Sequence, residues 1–139
     1  MVMDAPDRFE MTGRRAFYRP VGTVSLRDVV DMVSLAIAHA CAKGASEMLV
    51  NLSAVAGFAP PTTIERYRFV TKWVATAGGR LQLAVVVRPK MIDRHKFGVT
   101  VATNRGLMAD VFTTEAEALA WLDGTDGSQS LRGPNPAGP

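Results

Sequence analysis

Soft metal ligands are scarce in this chain: one cysteine and two histidines in 139 residues. Cys41, His39 and His95 show no pairing at the ligand spacing of a zinc site, and no acidic cluster offers itself to magnesium. The expectation is therefore no metal and no cofactor. A lone cysteine cannot close an internal disulfide, so nothing points to an oxidising compartment. Cys41 ends the apolar stretch Leu35-Ala36-Ile37-Ala38-His39-Ala40-Cys41, which suits a buried thiol behaving as a small hydrophobe.

Long hydrophobic runs are missing too. No segment approaches the roughly 18 uninterrupted apolar residues of a membrane span. Met1-Val2-Met3-Asp4-Ala5-Pro6 places an acid and a proline where a secretory leader needs a basic start and an apolar run. A soluble cytoplasmic chain is the expectation. Glycine-rich phosphate loops are lacking as well: Ala77-Gly78-Gly79-Arg80 lies between a helix and a strand, the wrong order for a Rossmann or P-loop turn. No Gly-x-Ser-x-Gly elbow marks a hydrolase. Asn51-Leu52-Ser53 matches a glycosylation sequon, but at the end of a buried strand. Charge of one sign is not concentrated either. Sixteen basic residues against thirteen acidic give a net +3, without the basic face of a nucleic-acid binder.

What is present is the make-up of one folded domain. Hydrophobic residues supply 47% and charged residues 21%, globular proportions in a chain long enough to bury a core. Phe9-Glu10-Met11 and Arg15-Ala16-Phe17-Tyr18-Arg19, parted by Thr12-Gly13-Arg14, read as an opening hairpin. Pro20 and Gly22 follow, which suits edge strands. Val21 to Val24 adds a further short strand. Ser25 with Asp28, Thr62 with Glu65 and Thr114 with Glu117 are capping signatures for three helices. Lys43-Gly44 closes the first of these and Gly78-Gly79 the second.

Met48-Leu49-Val50-Asn51-Leu52 is a short buried strand, and Ser53 to Pro61 is a loop. Arg80 to Val87 is a near-continuous apolar run that fits a strand covered on both faces. Pro89 to Arg105 reads as helical, with a break or close contact near Gly98, and Leu107 to Phe112 as a last strand. Strand and helix alternate after the hairpin. That order predicts an α/β fold: a mostly parallel sheet, an N-terminal antiparallel hairpin and about four helices. Residues 1–8 read as a flexible lead and 9–123 as the domain. From Gly124 to Pro139 the tail is rich in Gly, Pro, Ser and Asp, unable to offset its ordering entropy.

Two features invite a functional reading. Arg88, Lys90, Arg94, His95 and Lys96 follow the central strand, near the carboxyl edge where open α/β sheets bind ligands. They are candidates for an anion or acidic partner; the alternative is a solvated turn. On the second helix, Phe69, Trp73, Ala77, Val70, Val74 and Tyr67 spread over about 160° at helical spacing, with Arg66 inside that arc. This is either deep burial with Arg66 reaching out to water, or a face that leaves Phe69 or Trp73 for a partner or ligand.

Leu49-Val50-Asn51-Leu52-Ser53-Ala54-Val55 resembles the strand and loop of STAS domains, where a hydrophobic run precedes Asp-Leu-Ser. Asp110-Val111-Phe112-Thr113-Thr114-Glu115-Ala116-Glu117-Ala118-Leu119-Ala120-Trp121-Leu122 resembles the closing strand and helix of bacterial STAS-like proteins related to CRAL-TRIO lipid-binding domains. The resemblance spans about Phe9 to Leu122. It implies a non-enzymatic regulatory or protein-interaction module, with Phe58, Thr62, Thr63, Arg66, Phe69 and Trp73 as partner or ligand candidates. STAS antagonists bind anti-sigma factors and are switched by phosphorylation of a serine that opens the helix after this loop. Here Pro60 and Pro61 take the approximate serine position, Asn51 replaces the aspartate, and Thr62 and Thr63 are the nearest hydroxyls, so no phosphorylation switch is expected. The other readings are a small-molecule or lipid carrier, with a cavity lined by Phe58, Tyr67, Phe97 and Phe112, and an enzyme. A homodimer that covers leftover aromatic area of the second helix is a further expectation.

Overall fold

Ser25, Thr62 and Thr114 each open a helix where their spacing to an acidic residue predicts it. Ser25 Oγ accepts the Asp28 N–H at 3.0 Å, starting α1 (Leu26–Ala42). Thr62 Oγ1 accepts the Glu65 N–H at 3.2 Å while Glu65 Oε1 takes the Thr62 N–H at 2.8 Å, a reciprocal cap on α2 (Thr63–Ala77). Thr114 Oγ1 accepts the Glu117 N–H at 3.2 Å at the start of α4 (Glu115–Gly124). Gly78, left-handed at φ +60°, terminates α2.

The computed structural model describes residues 6–124. The lead before Pro6 and the tail after Gly124 lie outside the described residues. Seven strands are present among them: β1 (Phe9–Thr12), β2 (Arg15–Tyr18), β3 (Gly22–Thr23), β4 (Glu47–Asn51), β5 (Val55–Ala56), β6 (Gln82–Val86) and β7 (Ala109–Phe112). The main sheet runs β1-β2-β4-β6-β7, antiparallel between β1 and β2 and parallel elsewhere. This is the expected architecture: an antiparallel hairpin leading into a parallel sheet, with four α-helices among the described residues.

Alternation along the strands sorts the core into two. Ala16 and Tyr18 of β2, Met48 and Val50 of β4 and Leu83 of β6 face α1, α2 and α3 (Phe97–Asn104). Phe17, Leu49, Ala84 and Val86 face α4, meeting Ala118 and Leu122. Successive residues of a strand point to opposite faces, so a strand buried on both sides reads as an unbroken apolar run. β6 is that strand.

Four local expectations need correction, the first being that Ser53 to Pro61 is not loop throughout but carries β5 (Val55–Ala56). Of the hairpin, β1 alone is an edge; β2 lies inside the sheet, in parallel register with β4 from Arg15↔Glu47 to Tyr18↔Val50. Pro89 to Arg105 is not one helix but a 3-10 turn (Pro89–Met91), a link, and then α3. Asp93 Oδ2 captures the Phe97 N–H at 2.7 Å and Lys96 is left-handed at φ +49°, so the helix starts only there. The close contact at Gly98 is present: a Cβ would stand 3.3 Å from Val70 Cγ2, so its absence sets how near α3 comes to α2. Cys41, expected buried, is half-buried, its Sγ 3.8 Å from Ala77 O.

Candidate functional site

The carboxyl ends of β2, β4 and β6 lie at one edge of the sheet, together with the connection from β4 to α2. That connection is built firmly. Val55 and Ala56 pair in parallel with Gly22 and Thr23, forming a two-stranded ladder beyond the main sheet. Gly57 follows at φ +114°, and a Cβ there would sit 2.4 Å from the Val24 carbonyl oxygen. Only glycine allows that approach. Arg88, just past β6, donates Nη2 to Val55 O at 2.8 Å and ties the loop to the central strand.

Four of the partner or ligand candidates come together beneath this loop. Phe58, Arg66, Phe69 and Trp73 line a mainly apolar cavity of about 130 Å³ between α1, α2, α3 and the sheet. Trp73 is buried and donates Nε1 to Val30 O at 3.1 Å. Arg66 reaches Met91 O with Nη2 at 3.1 Å. Thr62 and Thr63 stand exposed at the start of α2, the former occupied in the cap. Of the four aromatics expected to line a carrier cavity, Phe58 does so. Tyr67 is exposed, with Arg105 over its ring and donating to its hydroxyl. Phe97 packs against the core on the α1–α3 face. Phe112 lies across the sheet against Trp121, ring centroids 5.6 Å apart.

The basic candidates do not form one patch. Arg88 and Lys96 border the cavity, and Lys96 Nζ pairs with Asp110 Oδ1 at 2.9 Å. Lys90, Arg94 and His95 are exposed on the connection between β6 and α3. Among the described residues, no group of three or more His, Cys, Asp or Glu side chains is placed to hold a metal ion. No helix among them is long and apolar enough to cross a membrane.

Sequence reading does not single out the polar centre of this edge. Arg19 grips Glu115 with two hydrogen bonds, Nε to Oε2 at 2.8 Å and Nη2 to Oε1 at 3.1 Å. Asn51 Nδ2 adds a third at 2.7 Å. Arg19, with a smaller contribution from Asn51, holds the Glu115 carboxyl below its ordinary range against the opposing effect of burial. Glu115 is therefore a structural carboxylate in the first turn of α4, where the helix also favours negative charge.

Two exposed apolar side chains at this edge also escape the sequence reading. Ile64, in the first turn of α2, is 63% exposed, and Val21, just before β3, is 58% exposed. Ile64 falls outside the apolar arc of α2, and an aliphatic residue on a polar helix face is the signal that marks it. Val21 has no comparable local signal.

No family model matches this chain, and no curated protein matches it significantly. Among solved structures it is similar to the anti-sigma factor antagonist SpoIIAA in its unphosphorylated form, at 17% sequence identity and a TM-score of 0.47. That likeness covers 86% of this chain and 97% of the other.

Proposed function

We propose that this chain is a non-enzymatic regulatory module of the cytoplasm that engages a protein partner through the carboxyl edge of its sheet. The observation that supports this reading most is the pairing of exposed apolar side chains, Ile64 and Val21, with a connection held rigid by the β3–β5 ladder, Gly57 and Arg88. Exposed aliphatic groups on a preorganised surface bind without a large ordering cost. Thr62 and Thr63 belong to the same surface, with Phe58 half-buried beneath it and Tyr67 beside it on α2.

The polar groups nearby serve the fold: Glu115 is held by Arg19 and Asn51, Asp93 caps α3, and Asp110 pairs with Lys96. Homodimerisation through the exposed face of α2 is part of the proposal, since a second copy covers Ile64 and Tyr67 in the same way. Capture from the native lysate on the immobilised chain tests the reading. The expected result is one specific protein retained by the native chain and lost with Ile64→Asp; a partner indifferent to Ile64, Phe58 and Thr62 contradicts it.

A further inference from the structure

The cavity under the loop carries a chemistry of its own. It is mainly apolar, yet Arg88 stands in its wall. Arg88 Nη2 is satisfied by Val55 O, but its Nε is buried with no hydrogen-bond partner among the described residues. A buried donor left unpaired is costly. Such an orphan is rare in folded proteins and calls for an explanation.

The surrounding charges point the same way. Arg66, the other guanidinium in the lining, donates to the neutral carbonyl of Met91. Neither arginine forms an ion pair among the described residues, whereas the nearby acids are engaged, Asp110 by Lys96 and Asp93 by the Phe97 N–H. The net surplus at the cavity is positive. The half-exposed Lys96 is also in the lining, so the cavity reaches the surface beside α3.

Size then restricts the occupant. A volume of about 130 Å³ is of the order that holds a single benzene ring, since engineered apolar cavities of about 150 Å³ do so. It falls well short of the roughly 300–1,000 Å³ of drug-sized ligand sites, and a long acyl chain does not fit. We infer that this cavity is a binding site for a small aromatic monocarboxylate, its ring among Val70, Phe69, Val85 and Trp73 and its carboxylate on the Arg88 guanidinium. Charge-assisted hydrogen bonds from a guanidinium are the strong ones, and a carboxylate accepts them in the geometry arginine presents. The site is independent of whether the surface above it meets a protein.

Benzoate and its uncharged relative benzyl alcohol, titrated into the full chain and followed by calorimetry and by methyl NMR, test the inference. Benzoate is expected to saturate with a dissociation constant on the order of 1 mM or tighter, and benzyl alcohol to bind at least about tenfold more weakly. Arg88→Met is expected to remove that preference without abolishing binding of the alcohol, and Val85→Phe, which fills the cavity, to abolish both. Comparing the two probes on the native chain requires no variant, so it stands even where a substitution disturbs folding. Equal affinity for the two probes, no saturable binding of benzoate, or benzoate binding that survives Val85→Phe overturns the inference.

Discussion

Asn51 Nδ2 and Glu115 Oε2 meet at 2.7 Å across 64 positions of sequence, joining the end of β4 to the first turn of α4. Asn51 Oδ1 meanwhile accepts the N–H and hydroxyl of Ser53 at 2.9 and 2.6 Å. The side chain must therefore donate on one side and accept on the other, which an amide does and a carboxylate does not. An asparagine rather than an aspartate at position 51 has a physical reason in its neighbour Glu115. Asn51→Asp is expected to lower stability by about 1–3 kcal/mol at neutral pH, through an unpaired like-charge contact. Adding Glu115→Gln should restore part of the loss. Urea unfolding of the two single variants and the double variant measures both.

The Arg19–Glu115 pair makes stability depend on acid. Glu115 is held below its unfolded range of about 4.3. Its contribution is thus complete above that value and disappears as pH falls through the lower folded value. Arg19 is 39% exposed, so solvent screens the pair, and Glu115→Gln is expected to cost only about 1 kcal/mol at pH 7. The gap between variant and native chain should begin to narrow below about pH 4 and vanish only once Glu115 is protonated in the folded chain. A gap that is constant with pH would count against the assignment.

Gly57 is the steric keystone of the candidate surface. A methyl group there meets the Val24 carbonyl at 2.4 Å and must adopt φ +114°. Gly57→Ala is expected to destabilise by about 2 kcal/mol or more and to loosen the β3–β5 ladder. Amide exchange at Gly22 and Val24, whose N–H groups bond to Ala54 O and Ala56 O, should rise first.

Thr62 is committed to its cap. Thr62→Ala is expected to cost about 1 kcal/mol. A phosphate on this hydroxyl would displace the Glu65 N–H and face the Glu65 carboxylate that now holds the Thr62 N–H. We expect no stoichiometric phosphate at Thr62 or Thr63 in protein from the native host. Phosphopeptide mapping that finds one would restore a phosphorylation switch.

The local chemistry of the fold is legible in the sequence. Three side-chain caps, the left-handed stop at Gly78 and the doubly covered β6 all follow from neighbours within a few residues. What resisted depends on distant partners. Val55–Ala56 is a strand only because Gly22–Thr23 lies beside it. α3 begins at Phe97 because Asp93 reaches its N–H across a link that composition does not distinguish from helix. The same limit governs the site. Phe58, Arg66, Phe69 and Trp73 stand out in the sequence through a helical arc and a loop, and they share a cavity wall. Phe112 and Tyr67 do not, because strand and helix placement turn them to other faces. The orphaned Arg88 Nε follows from packing and has no signature in sequence.

The carboxyl-edge surface is the central claim, and affinity for the captured partner tests it most directly. The measurement compares the native chain with Ile64→Asp, Val21→Asp and Met108→Asp by titration calorimetry. Met108 is 57% exposed but precedes β7, at the opposite edge of the sheet. All three sites are exposed, so each variant should keep the native unfolding midpoint. The account predicts at least about a tenfold loss of affinity for Ile64→Asp and Val21→Asp, and none for Met108→Asp. Unchanged affinity in the first two, or an equal loss in the third, would contradict it.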